Sequence, residues 1–402
     1  MSKSALFIVL TAGLWACGAQ EQADPGGGGL PEGCDHLVSP GADEHERLQT
    51  VLIEAGPDET VCLDEGTYHF QTELSISVDN LTLKGAGAGV TILDFTTQDL
   101  GANGVHVTSD GVTVEAFTIL DTPGDGIRAS AVEGITFRDV AVLWTNEADP
   151  TSGAYGFYPV ESTDVLIEGC EVRGSSDAGV YVGQSKRILV QQNVAHGNVG
   201  GIQIENSVDA EVVDNHTYDN TAGILIFNLP ELPFKEGART KVHRNLVENN
   251  NLGNFGKPGA IISVVPAGTG IIVLATDDNE ITDNTIRGNE STAIALVSYI
   301  PALFGEYDDP EFERFSEGNY VHANRYEENG TAPHDIVLGL APEGTEILYD
   351  GCAAEPAGLT NCFDEPQDVR FRNLDLCGRL GGPTTEMDRH VCQYEPLPTR
   401  LL

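Results

Sequence analysis

The residues most able to do chemistry recur at one position of a repeated phrase. Counting from Gly104, Gly126, Gly156, Gly179, Gly201 and Gly223, the residue two places on is His106, Arg128, Tyr158, Tyr181, Gln203 and Leu225. In an extended strand the residues one and three after the glycine, mostly Val or Ile, face opposite to the second one. If the phrases stack, this set forms one outward line, and we expect it to be exposed. Asp125 and Asp177 stand just before their strands, and Glu205 lies two residues beyond Gln203. Aromatic rings stack on sugar faces, and a guanidinium pairs a uronate carboxylate through two parallel hydrogen bonds. His106, Tyr181, Gln203 and Glu205 are therefore candidate substrate-binding residues. Removing a proton beside a carboxylate needs a neutralising group, a base and a proton donor. Arg128, Tyr158 and Asp177 supply those types and form the candidate catalytic set.

The glycines that space these residues lie 22, 30, 23, 22 and 22 apart, with further echoes at Gly270 and Ala293. Between them runs a second alternating apolar stretch, as in Ile135-Thr-Phe, Val165-Leu-Ile and Ile188-Leu-Val. A unit of about 22 residues with short strands and no helical period fits one coil of a parallel β-solenoid. Asn193, Asn215, Asn245, Asn284 and Asn324 are each followed five residues later by a second asparagine: Asn198, Asn220, Asn250, Asn289 and Asn329. Coils about 4.8 Å apart would stack both series into columns of amides bonded from coil to coil. Asparagine also tolerates the left-handed turns such corners need.

With these repeats, the chain resembles right-handed parallel β-helix proteins of the pectate-lyase-like superfamily over roughly residues 60 to 330. The resemblance implies an all-β solenoid with a short N-terminal capping α-helix and a disulfide-bearing C-terminal cap. Tyr155-Gly-Phe-Tyr158-Pro-Val160-Glu161 further resembles the Tyr-Gly-Phe-Asp-Pro-His-Glu motif of mannuronan C5-epimerases, with Tyr158 and Val160 at its acidic and histidine positions. This adds Tyr155 to the substrate-binding set. Two functions follow: a β-helix protein that binds an acidic polysaccharide or envelope glycan, or an active polyuronate lyase or epimerase.

The N-terminus holds Lys3, an apolar run from Ala5 to Ala16, and Leu14-Trp15-Ala16-Cys17. The run is too short to span a bilayer. Residues 1–17 read as a secretory signal with a lipobox, making Cys17 the lipidation site of a protein exported to the bacterial cell envelope. Residues 18–33 form a flexible tether, 34–59 a cap helix, 60–340 the solenoid and 341–402 the C-terminal cap. The cap helix is expected from Asp43 as N-cap to Ala55, with Leu48, Val51 and Leu52 on one stripe. Cys34 with Cys62 could staple the N-terminal end, and Cys352, Cys362, Cys377 and Cys392 could make two further bridges. Cys170, one coil before Asn193, reads as a buried thiol.

Composition narrows the partners. With 62 acidic against 21 basic residues, the net charge of −41 excludes a general nucleic-acid binder. The acidic excess reads as a solubility surface, with calcium bridging carboxylates to a polyanionic glycan as the alternative; no EF-hand loop is present, and the solenoid is expected to be a monomer. Only 14 Phe and 2 Trp imply an aliphatic core. Insertions at Trp144 to Gly153, Leu229 to Arg239, Asn251 to Thr269 and Ser298 to Asn319 would carry loops that wall a groove.

Overall fold

The computed structural model describes residues 30–354 and 361–399. The lipidation site Cys17 and its lipobox lie outside the described residues. The chain winds through three parallel sheets of 12, 10 and 11 strands, visiting them in the same order in each coil. One coil illustrates the order: Glu133–Arg138 in the first sheet, Ala141–Leu143 in the second and Tyr155–Val160 in the third. The inward residues, such as Val180, Ile202 and Ile224, are fully buried in one continuous core. That core is aliphatic only from Val165 to Ile347. Phe70, Phe95, Phe117, Phe137 and Phe157 fill the earlier coils and Tyr349, Phe363 and Phe371 the last ones, so the expectation of an aliphatic interior holds for the middle coils alone.

The repeat glycines have a different task from the turn role that glycine commonly plays. None adopts a left-handed φ. A Cβ on Gly156 would stand 2.4 Å from Val172 Cγ2 and 2.5 Å from the Gly179 carbonyl oxygen, and one on Gly201 would stand 2.5 Å from the Gly223 carbonyl oxygen. The glycine column marks where the third sheet starts so close to the next coil that no side chain fits.

Both asparagine columns form. Asn215 Oδ1 accepts from the Asn193 backbone N–H at 2.9 Å and from its side-chain amide at 3.0 Å, and the pattern repeats through Asn245, Asn284 and Asn324. Asn198, Asn220, Asn250, Asn289 and Asn329 do the same at the next corner. The ladder residues are not themselves left-handed. The residue before each one is: Gln192, Asp214, Arg244, Asp283 and Ala323 have φ between 50° and 56°. A third column, Asn279–Asn319–Asn361, follows serines 162, 185 and 207 at the remaining corner. Its mixed composition hid it from the sequence pattern. The first column ends on Glu365, which accepts from Asn324 and from the Tyr326 hydroxyl. Cys170 begins it as a buried free thiol whose N–H donates to Asn193.

Both ends are closed. Helix α1 (Glu44–Glu54) buries Leu48 and Leu52 on the first coil. Asp43 is left-handed and makes no side-chain cap, against expectation. Glu44 instead accepts from the N–H of Gly41 and from that of His69, on the edge strand of the second sheet. Gln49 pairs with both backbone groups of Ser75 on the edge strand of the third sheet. The helix thus occupies strand edges that would otherwise recruit another chain. Disulfides join Cys34 to Cys62, Cys352 to Cys377 and Cys362 to Cys392. Strand pairing continues beyond residue 340, through Ile347–Tyr349, Cys362–Asp364 and Phe371–Asn373, so the solenoid reaches into the segment expected to be cap alone.

Replacing Asn245 by Ala strands the buried N–H groups of Asn215 and removes the donor to Val212. Each unmet buried group costs about 1–3 kcal/mol. We expect a fall in thermal midpoint by scanning calorimetry with ligand affinity unchanged.

Candidate functional site

The outward line exists in register. Along the third sheet Ser75 pairs with His106, His106 with Arg128, Arg128 with Tyr158, Tyr181 with Gln203, Gln203 with Leu225, and Leu225 with Ile272. It is not uniformly exposed. His106, Arg128 and Tyr158 are half-buried on an open stretch, whereas Tyr181, Gln203 and Glu205 are only 6%, 2% and 6% exposed. The expectation of one exposed line fails because insertions from both margins fold over its later part. The segments after residue 228 and after residue 297 come from one margin, and those around 251–268 and 330–346 from the other. Helix α2 (Pro301–Phe304) packs against the turn Ile261–Val264 across the sheet. Lys235 and the N–H of Glu231 bind Asp309 and tie two insertions together. Trp144, the first residue of the remaining insertion, is buried, with its indole N–H donating to the Thr122 carbonyl at 2.8 Å.

Beneath this roof is a cavity of about 350 Å³, lined by Leu225, Phe227, Ile262, Ile272, Leu274 and Ala295 among others. Its polar end is formed by Tyr155, Asp177, Tyr181, Gln203 and Glu205. Tyr155, Tyr158 and Tyr181 gather with ring centroids 4.6–5.0 Å apart. The Arg128 guanidinium lies 4.9 Å from the Tyr158 ring centre, and its Nε donates to Ser130 Oγ at 3.1 Å. His106 stands 3.5 Å from Glu73. Asp177 accepts from the Tyr155 hydroxyl at 3.4 Å and from the Gln203 amide at 3.3 Å. The structure therefore brings together Tyr155, Tyr158, Asp177, Tyr181, Gln203 and Glu205, with Arg128 and then His106 extending outward from them.

Sequence reasoning missed two glycines that shape this cluster. A Cβ on Gly183 would meet the Tyr181 ring at 2.5 Å, and one on Gly200 would meet the Gln203 amide at 2.5 Å. Each lets an outward side chain lie down across the sheet. Lys257, from the roof, also acts electrostatically on Asp125 and Asp177. It belongs to an insertion, so no repeat register pointed to it.

Burial dominates the electrostatics. Desolvation raises Asp125 to about 6, with Arg128 opposing, raises Asp177 to about 7 and raises Glu205 to about 8. Burial likewise lifts Tyr155 well above the ordinary phenol value and raises Tyr158, with Arg128 opposing. Asp177 thus titrates near neutral pH in hydrogen-bond contact with a phenol that keeps its proton. Among the described residues no group of three or more His, Cys, Asp or Glu side chains is placed to hold a metal ion.

Residues 103–262 match the family model for a right handed beta helix region. The fold is a right-handed parallel β-helix. No curated protein matches the sequence. Among solved structures, this β-helix is similar to the A-modules of two mannuronan C-5 epimerases of Azotobacter vinelandii. For AlgE6 the identity is 16% and the TM-score 0.55, with 83% of this chain and 94% of that one covered. For AlgE4 they are 16% and 0.52, with 82% and 93% covered. At this identity the likeness is one of fold.

The raised carboxyls make stability depend on pH. Folded Glu205 keeps its proton to about 8 against an ordinary 4.5, so the folded state binds more protons across that window. Raising the pH through it removes stability. Glu205→Gln should match the parent near pH 5 and melt higher near pH 8 in scanning calorimetry. Parallel pH profiles would contradict this.

Proposed function

We propose that the protein binds an acidic polysaccharide on the open stretch of the third sheet, with Arg128 receiving a uronate carboxylate and Tyr158 carrying a sugar face. The carrying observation is Arg128 itself. Arg138, Arg187, Arg239 and Arg244 are all locked to carboxylates. Arg128 makes no ion pair among the described residues and lies half-exposed on an aromatic ring. Similarity of fold to epimerase modules that act on mannuronan supports the same substrate class. A guanidinium hydrogen bond to an anion contributes about 1–3 kcal/mol, so Arg128→Ala should weaken binding of uronate oligosaccharides by that much in calorimetry. Neutral oligosaccharides serve as the comparison, with and without calcium. Uronate binding that survives combined Arg128, Tyr158 and Tyr181 alanine changes would place the site elsewhere.

A second reading, catalysis, is favoured by the Tyr155–Asp177 contact. A carboxyl titrating near 7 beside a protonated phenol has the two proton-handling parts that elimination or C5 epimerisation requires, with Arg128 neutralising the substrate carboxylate. Val160 leaves the histidine position of the epimerase motif without a base, so the reaction would rest on Asp177. Incubation with alginate and pectate, following unsaturated-uronate absorbance and proton exchange by NMR, separates turnover from binding.

Export to the cell envelope with a lipid on Cys17 completes the proposal. Three disulfides support an oxidising compartment. Metabolic labelling with a fatty acid should mark the parent and not Cys17→Ser; equal labelling would remove the lipid anchor.

A further inference from the structure

The roofed cavity adjoins the open Arg128 face through the Tyr155, Tyr158 and Tyr181 cluster, and one of its carboxyls is unlike the other deeply buried ones among the described residues. Glu205 is 6% exposed and lines the cavity, yet its carboxyl has no hydrogen-bond or ion-pair partner among the described residues. The other deeply buried carboxyls are matched. Glu211 holds His243, Glu280 holds Lys241 and His322, and Asp309 holds Lys235. Asp350 accepts from two backbone N–H groups, and Glu365 from Asn324 and Tyr326. An unmatched buried carboxyl is costly unless a partner arrives from outside. The nearby cations do not fill that place: Arg128 is engaged with Ser130 and the Tyr158 ring, and Lys257 makes no ion pair among the described residues.

We infer that the cavity binds a small cationic amphiphile, with an ammonium head against Glu205 and the tyrosine faces and an apolar body beneath the insertion loops. Each part of the cavity matches one part of that ligand. Tyr155 and Tyr181 line its polar end and present π-systems of the kind that attract cations. Beyond Glu205 the walls are almost wholly apolar, running from Leu225 and Phe227 to Ile272, Ala295 and Leu348. The mouth carries Val264 and Ile336, which line the cavity and are 39% and 40% exposed, an apolar entrance. At about 30 Å³ per water-sized group, a volume of about 350 Å³ holds roughly twelve non-hydrogen atoms. That is the size of a single medium alkyl chain with its head. A fatty acid would set its carboxylate against Glu205 and Asp177, which the site opposes.

The test compares decylammonium, decanol and decanoate, probes of one shape and three charges, by calorimetry below their aggregation concentrations. The pH is held above the Glu205 value of about 8. Decylammonium should bind once per chain, and decanoate about tenfold or more weakly. Glu205→Gln should cost decylammonium about tenfold while leaving decanol nearly unchanged, and Ala295→Trp should exclude both by filling the cavity. If Ala295→Trp does not fold, the ligand series on the parent and on Glu205→Gln still decides. The inference is overturned by decanoate binding as tightly as the amine, by an unchanged affinity in Glu205→Gln, by no saturable binding of any probe, or by multiple salt-sensitive sites in both proteins, the mark of general attraction to an acidic surface. Tyr181 is shared with the open face, so Arg128→Ala separates the two sites: it should weaken uronate binding and leave decylammonium affinity unchanged.

Discussion

A chain that turns at three corners in every coil buries the backbone of those corners with no water to satisfy it. The amide ladders resolve this constraint, and the remaining architecture depends on them. Each ladder asparagine offers its carbonyl to the backbone N–H and the side-chain amide of the coil before it, and gives its own amide to a strand carbonyl such as Val190 or Val212. One residue type therefore closes the corner and sets the stacking. The left-handed residue before it gives the bend, which explains why Asp, Gln, Arg and Ala all appear there. The repeat glycines impose the matching limit from the third sheet, where the carbonyl of the next coil leaves no room for a Cβ.

With the coils fixed, the outer face of the third sheet becomes a regular array whose chemistry is set by what covers it. Its earlier stretch is open and carries His106, Arg128 and Tyr158. Its later stretch is covered, and there the same register holds Leu225, Ile272, Ala295 and Leu348. The tyrosine and carboxyl cluster sits at the boundary between the two regimes. Desolvation at that boundary moves Asp125, Asp177 and Glu205 toward neutral pH.

The acidic composition sharpens this contrast. With 62 acidic and 21 basic residues, much of the positive charge is spent on ion pairs between adjacent coils, as in Arg187 with Asp164 and Arg244 with Asp214. On the outer face of the third sheet, Arg128 lies on an aromatic ring without an ion pair and Glu205 lies unpaired beneath the roof, among the described residues.

The fold was legible because a solenoid coil contacts only its neighbours, so the same local demands recur at a fixed spacing. The glycine period, both pure asparagine columns, the capping helix, the buried Cys170 and the outward register were all readable for that reason. The third corner escaped because serine, threonine and asparagine share its work. The Asp43 cap failed because Asp43 adopts a left-handed conformation with no side-chain cap, while Glu44 turns to the N–H groups of Gly41 and His69. The candidate site was half legible: alternation showed which side chains face outward, but not which remain exposed. That was decided by contacts between insertions far apart in sequence, such as Lys235 with Asp309, 74 residues away. Such contacts follow no period, so the roof, its cavity and the raised carboxyls beneath it came from the tertiary structure alone.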